Sequence, residues 1–542
     1  MSGGGHKTVE LKEKKASLND LSDDSLSEII CMLDMKDAVK TSILSKRWRY
    51  IWANNVVDLK FNHFNILGLR SIPDKEKWVG LELVFVTTVD KIMMQRSQGS
   101  RNKINSFCIQ FPLGPRFSSL IDGWIEFVVA NNVETIDLDL SSNLRLERYN
   151  FSLLKAVSNN EIGTLKHLRL TRCNFKGRSR SPKFGSLISI QLESVNIGSF
   201  QLAKVLESCP LLEELTLDTC LNLTQLTINT YLLKNLSLIN CSKLKEIVVT
   251  NAPNLVYLQL TGVLINSFQV RRFINCCPLL EELILNSCPR LRYLEILESN
   301  NSPLKYLYMM SCRKLTELEL CADLLHTLEF YDMSEWFTVL KTTRLVNIFI
   351  GEDVDIEHPL TRLLHDIPWL ENLILASYHP LNFFFANDPV PTLSLRRLVI
   401  HVNLCDNDKD ALLYVSYILK AFPLLETLEL NFRNLDKFDN EENMTFEKCP
   451  NGAITKLEMN GFSGSVGEVN VLMYLLENLT GLRELAIGSS FKRYYSFNRW
   501  VNDLPYNTTN EQWFHCNSEW LRTIVPLSVH LKLMKDLDSD LL

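Results

Sequence analysis

Between Leu211 and Leu260 the chain reads LLEELTLDTC, LTQLTI, LLKNLSLINC, LKEIVV and LVYLQL. Each block closes on aliphatic residues two positions apart, the alternation of a β-strand with one apolar face. The central residues Leu215, Leu236 and Leu258 are 21 and 22 positions apart. A unit of that length cannot bury its own apolar edge, so neighbouring units must stack and share one core. The ladder therefore restricts the fold to a repeat solenoid, and a solenoid offers a long surface to a partner.

From Ile136 onward the ladder centres run Leu168, Ile190, Leu215, Leu236, Leu258, Leu283, Leu307, Leu328, Ile348, Leu373, Leu398, Leu428, Leu457 and Leu485. Cys173, Cys220, Cys241, Cys288 and Cys312 each follow the last ladder residue by three positions. That is the final position of L-x-x-L-x-L-x-x-[N/C], the leucine-rich repeat, where a buried turn residue closes the strand. A second apolar set, Leu226, Ile247, Leu294 and Leu318, lies about halfway between centres. A half-repeat of about eleven residues has no room for a multi-turn helix and two connections. The outer face there is predicted to be strand or extended chain. Helices are predicted at 201–210, 268–278, 360–368 and 412–423, each stopped by a proline. The expected fold class is α/β: a leucine-rich-repeat solenoid with a curved parallel sheet and a mixed helix/strand outer face.

With 46% hydrophobic and 22% charged residues the composition is that of a soluble globular chain. A net charge of −6 gives no global bias toward nucleic acid or anionic membrane. No run of eighteen apolar residues predicts a membrane span, and MSGGGHKTVELKEKK lacks the apolar region of a secretory signal. The fourteen cysteines are expected to be reduced structural thiols, since no C-x-x-C pair suggests zinc. There is no phosphate-binding loop, no dinucleotide fingerprint and no H-E-x-x-H. No catalytic residue, metal or cofactor is expected.

Residues 16–52, ASLNDLSDDSLSEIICMLDMKDAVKTSILSKRWRYIW, form a compact helical module. Asp23, Asp24 and Ser25 are candidate N-caps of a helix whose Leu26, Ile29, Ile30 and Leu33 make one apolar stripe. A second helix is expected to carry Val39, Ser42, Ile43 and Leu44, and a third Arg47, Trp48 and Trp52. The spacing of Leu21, Asp23, Leu26, Ile29-Ile30, Ala38, Thr41-Ser42, Leu44-Ser45 and Arg47-Trp48-Arg49 resembles the F-box of plant F-box proteins, with TSILSKRWRYIW the most specific stretch. The resemblance implies docking on a Skp-type adaptor, which bridges to a cullin and RING ubiquitin ligase. Leu21, Leu26, Ile29, Ile30, Leu33, Val39, Leu44 and Trp48 are then candidates for the adaptor interface or for the module's own core, and the sequence does not divide them. Two positions depart from the family, Ser22 and Asp34, where prolines are usual.

Residues 53–135 read as a linker and the first irregular repeats, with a strand at VVDLKF and helical period over 79–95. The solenoid proper is expected over 136–445. Cys449-Pro450, ITKLEMNGFSG and MYLLENLTGLRELAI resemble the FBD module of plant F-box/leucine-rich-repeat proteins, placing FBD-like terminal repeats at 446–495. Residues 496–542 read as a cap or extension, and residues 1–15 as a solvated tail.

Two surfaces stand out. The stretch 166–184 is basic with no acid, and Arg169, Arg172, Arg178 and Arg180 are candidate anion-binding residues, against a solvated loop as the plainer reading. On the face away from the ladder, Tyr257, Tyr306, Tyr308 and Tyr331 are candidate target contacts, since tyrosine anchors many interfaces. The resemblance implies a substrate-recognition subunit of a Skp–cullin–F-box ubiquitin ligase, holding a target protein on the repeats, in nucleus or cytoplasm. The partners implied are a Skp-type adaptor with its cullin/RING ligase and an unidentified target, with no membrane and no nucleic acid. Two alternatives are a ligand-dependent receptor with a cavity lined by Arg169 or Arg172, and a repeat scaffold that has lost its adaptor.

Overall fold

The computed structural model describes residues 18–33, 35–70, 75–99, 103–141, 147–151, 162–175, 183–296, 303–331, 339–340, 342–351, 367–376, 394–403, 408–433, 448–496, 499–503 and 517–534. They fall in two compact units, Met1–Leu223 and Thr224–Leu542.

The first unit opens with three helices, α1 (Asp23–Met32), α2 (Met35–Thr41) and α3 (Lys46–Asn55). The N-cap of α1 is Ser22, whose hydroxyl accepts from the backbone N–H of Ser25 at 3.2 Å. Asp23 and Asp24 instead occupy the first turn, where negative charge suits the helix dipole. Ser22, which stands where the family usually has a proline, is thus a good capping residue. α2 also ends earlier than expected. Ser42, Ile43 and Leu44 lie in a tight turn whose N–H groups bond back to Val39, Lys40 and Thr41, each at 3.0 Å.

Beyond α3 the chain enters a parallel sheet. Strand Asp58–Asn62 pairs with Ser106–Gln110, followed in order by Thr135–Asp139, His167–Thr171, Ser189–Glu193 and Glu214–Asp218. The register stacks Leu59, Phe107, Ile136, Leu168, Ile190 and Leu215 in one buried row. The ladder therefore begins at Leu59, in the strand expected at VVDLKF and in the region read as a linker and the first irregular repeats.

In the second unit the same logic runs from Asn235–Ile239 to Glu484–Gly488. Every centre from Leu236 to Leu485 faces the next in register. A further strand, His530–Met534, pairs with Glu484–Gly488 and sets Leu531 against Leu485. Part of the presumed C-terminal extension is therefore one more rung. The intermediate apolar residues form their own short parallel strands: Gln225–Asn229 with Glu246–Asn251, and Tyr293–Ile296 with Glu317–Leu320 and Val339–Leu340. Helices Ser267–Cys276, Asp408–Ala421 and Val466–Asn478 occupy connections with room for them. Most of the helix expected at 360–368 lies outside the described residues.

The strand ends explain the cysteines. Two positions past the last ladder residue, Arg172, Ser194, Thr219, Asn240, Ser287 and Ser311 take left-handed backbone with φ between 50° and 59°. The reversal turns the next side chain inward. Cys173, Cys220, Cys241, Cys288 and Cys312 are fully buried. Three of these thiols reach the preceding rung: Cys220 Sγ to the carbonyl of Leu192 at 3.5 Å, Cys288 Sγ to Leu260 at 3.4 Å and Cys312 Sγ to Leu285 at 3.6 Å. A small side chain with a weak donor thus satisfies a carbonyl at the end of the neighbouring strand.

Candidate functional site

The three-helix module sorts its apolar residues into two sets. Leu26, Ile30 and Trp48 are buried with Ile51 and Trp52, and form the module's core. Ile29 and Val39 are half-buried. Leu21, Leu33 and Leu44 are exposed, and so are Leu18, Met32, Ile43 and Tyr50, with Met32 at 85% and Ile43 at 80%. Core packing does not account for this second set. Met32 and Leu33 lie at the end of α1 and Ile43 and Leu44 in the turn between α2 and α3, while Leu18 and Leu21 precede α1 and Tyr50 is on α3. Arg47 fixes one edge. Its guanidinium donates to Asp23 Oδ1 at 2.7 Å and to the carbonyl of Leu21 at 2.6 Å. This holds Leu21 beside the first turn of α3, where Arg47 is three positions from Leu44. Ser45 caps α3 by accepting from the N–H of Trp48 at 3.3 Å, which sets where the turn bearing Ile43 and Leu44 stops.

Elsewhere in the first unit, Arg169 lies 3.8 Å from Glu193, and its charge also acts on Asp137. Arg172 occupies a left-handed turn position and donates its N–H to the carbonyl of Glu193 at 2.8 Å. Arg178 and Arg180 lie outside the described residues. A cavity of about 480 Å³ opens beside Asp58, Lys60, Ser106, Cys108 and Asp137. Neither Arg169 nor Arg172 lines it. Burial pushes the Cys108 thiol up to about 12, helped by the neighbouring Asp137 carboxylate, so this thiol is not nucleophilic at neutral pH.

On the face of the second unit opposite the ladder, the four candidate tyrosines differ. Tyr257 is half-buried and donates to Gln259 Oε1 at 3.1 Å. Tyr306 is half-buried. Tyr308 is buried, with its hydroxyl 3.0 Å from Met310 Sδ, and so is not the open anchor the pattern suggested. Tyr331 is partly covered by the chain itself, because its hydroxyl donates to the carbonyl of Tyr494 at 3.1 Å.

That contact belongs to a hairpin, Phe491–Ser496 paired antiparallel with Arg499–Asp503. It crosses the boundary at 495 drawn from sequence. Beneath it the strand register sets Glu329, Phe349, Ile374, Val399, Glu429 and Glu458 in one row. Tyr494 packs on Phe349, Ile374, Ala376 and Val399, stacking on the Phe349 ring with centroids 4.1 Å apart. Its hydroxyl donates to Glu329 Oε1 at 2.6 Å. Lys492 pairs with Glu458 and lies 4.0 Å from Glu429. Phe491 sets its edge against His401 with centroids 5.0 Å apart. Burial pushes the Glu429 carboxyl above its usual range, and the Glu458 charge adds to that. Glu458 feels the same burial, but its hydrogen bond and ion pair with Lys492 leave it below. Sequence reading missed Glu429, Glu458, Lys492 and Tyr494. The available signal was an acid in the middle of the ladders LEL and LEM, next to rungs whose middle residues Phe349, Ile374 and Val399 are apolar.

The comparisons with known proteins follow this division. The leucine-rich-repeat domain described as At1g61320/AtMIF1 matches residues 94–271 and 254–503. The F-box domain matches residues 18–60, which include α1, α2 and α3. The chain belongs to the plant F-box/leucine-rich-repeat family. Similar Arabidopsis thaliana proteins include F-box/LRR-repeat protein At3g59200, 29% identical over 37% of this chain and 36% of that protein. Another is F-box/FBD/LRR-repeat protein At1g13570, 26% identical over 37% of this chain and 43% of that protein, which carries FBD in its name. The chain thus spans less than half the length of these relatives. Among solved structures, the circular leucine-rich-repeat protein CroV588 aligns with TM-score 0.32 and 15% identity, over 73% of this chain and 61% of that one.

Proposed function

We propose that this F-box/leucine-rich-repeat protein is the substrate-recognition subunit of a Skp–cullin–F-box ubiquitin ligase. Its F-box attaches to a Skp-type adaptor, and its repeat surface holds a target protein for ubiquitination. The subunit makes no bond itself; it supplies proximity to chemistry carried by its partners. The observation that carries the reading is the split within α1–α3, where one apolar set forms the core and another is left in solvent. Exposed aliphatic side chains mark a protein partner when they gather in a patch rather than stand singly, and Met32 with Leu33 and Ile43 with Leu44 are exposed as neighbours.

The test is capture of the full-length chain by a Skp-type adaptor. Met32→Asp and Ile43→Asp alter exposed residues and are expected to abolish capture while leaving the melting temperature unchanged. Leu26→Asp alters the core and is expected to lose both. Wild-type chain that fails to bind any Skp-type adaptor would sink the ligase reading and leave a repeat scaffold. The ligand-receptor reading needs a cavity lined by Arg169 or Arg172, and the cavity beside Asp58 and Cys108 is lined by other residues.

A further inference from the structure

The hairpin Phe491–Ser496/Arg499–Asp503 is not a repeat. It leaves the sheet after Glu484–Gly488, and among the described residues the chain next pairs with the sheet at His530–Met534. Its base is tied down by the N–H of Gly461 to the carbonyl of Ser490 at 2.9 Å and the N–H of Phe462 to the carbonyl of Gly488 at 3.0 Å.

The surface beneath it is an odd choice for a purely structural flap. Glu329, Glu429 and Glu458 are 1%, 3% and 8% exposed. Removing carboxylates from water is costly, and well-packed apolar residues hold such an interface at least as well as buried ion pairs. The hairpin also answers the surface incompletely. Tyr494 meets Glu329, and Lys492 meets Glu458. Asn431, set by register between His401 and Asn460, is fully buried, and neither its amide nitrogen nor its amide oxygen has a partner among the described residues. Native proteins seldom leave such a group unanswered. The site offers more polar chemistry than its present occupant uses.

We infer that this face is a recognition site for an extended segment of a target protein carrying a lysine two residues before an aromatic, and that the hairpin occupies it as an internal stand-in. The inference rests on the reading of the repeats as a target-binding surface. The spacing follows from the hairpin: Lys492 and Tyr494 reach down together because residues two apart share one side of a strand. The lysine is selected by two buried carboxylates. The aromatic is selected by a slot walled by Phe349, Ile374 and Val399 and closed by Glu329. Tyr331 adds a donor to the occupant's main chain, which any residue can accept. A segment that also offers an amide or hydroxyl to Asn431 fits this face better than the hairpin does.

The test uses the full-length chain without adaptor, so its outcome is independent of F-box binding. Lys492→Ala/Tyr494→Ala empties the site, and a labelled peptide of residues 489–496 is titrated against it and against wild type by fluorescence anisotropy. The emptied chain is expected to bind the peptide and wild type to bind far more weakly. The same peptide with its lysine changed to alanine is expected to fail. A positional scan of the peptide is then expected to yield polar substitutions that bind about tenfold more tightly, the value of one added buried hydrogen bond, with the gain abolished by Asn431→Leu. Tyr494→Ala alone, which opens the aromatic slot, carries the titration if the double variant does not fold. No binding to a folded, emptied chain overturns the proposal. So does a scan in which the native hairpin sequence is best at every position, because the hairpin is then part of the fold and nothing more.

Discussion

Tyr494 donates its hydroxyl to Glu329 at 2.6 Å, with both residues buried and 165 positions apart in the chain. The bond holds a non-repeat hairpin onto the sheet. Tyr494→Phe keeps the ring on Phe349 and removes only the hydroxyl. A bond of this kind to a charged partner contributes about 1.5–3 kcal/mol, so urea denaturation of the variant is expected to show a loss of that order. An unchanged midpoint would mean that stacking alone seats the ring.

Gly351 stands against that cluster. A Cβ there would come within 1.8 Å of the Tyr331 ring. Gly351→Ala is expected to displace Tyr331 and destabilise the chain by roughly 1–3 kcal/mol, the usual cost of overpacking. Combining it with Tyr331→Ala removes the clash, so the double variant is expected to lose less than the sum of the singles. Additive losses in that cycle would place the strain elsewhere.

Glu429 sets a pH dependence. Burial raises its folded value above the unfolded one, near 4.3 for a free glutamate. The folded state therefore holds this proton more tightly, and its contribution is fully present below the unfolded value and lost as pH rises through the folded value. Glu429→Gln removes this dependence. Melting temperatures measured from pH 4 to pH 8 are expected to show the variant gaining on wild type as pH increases. A difference that stays flat across the range would refute the assignment.

The thiols divide by burial. Burial pushes Cys173, Cys209 and Cys277 up to about 12, while Cys31 is exposed on α1. Alkylation at pH 8 followed by mass spectrometry is expected to label Cys31 first and the other three only after denaturant is added. Early labelling of Cys173 would contradict its place at the end of a closed rung.

The ladder shows what sequence fixes in a protein of this kind. Leu168 through Leu485 were legible because a stacked repeat is held by contacts between adjacent rungs, so its period must be written locally. The cysteines were legible for the same reason, since each closes its own strand. Leu531 was missed where a long insertion separates a rung from its neighbour and the period no longer signals it.

The F-box was legible as a family pattern, but the split between core and surface was not. Leu26 and Leu44 are the same residue type in one short module, and only the packing of α1 against α3 decides that the first is buried and the second is bare. The same holds for Tyr331. Its position off the ladder follows from alternation along one strand, whereas its partial burial comes from a hairpin that begins 160 residues later. Sequence determined the rungs, their order and their inward face, because those depend on neighbours about two dozen residues away. Tertiary structure alone decided which residues that face leaves open, because side chains brought together from distant rungs and from a non-repeat hairpin carry no shared period.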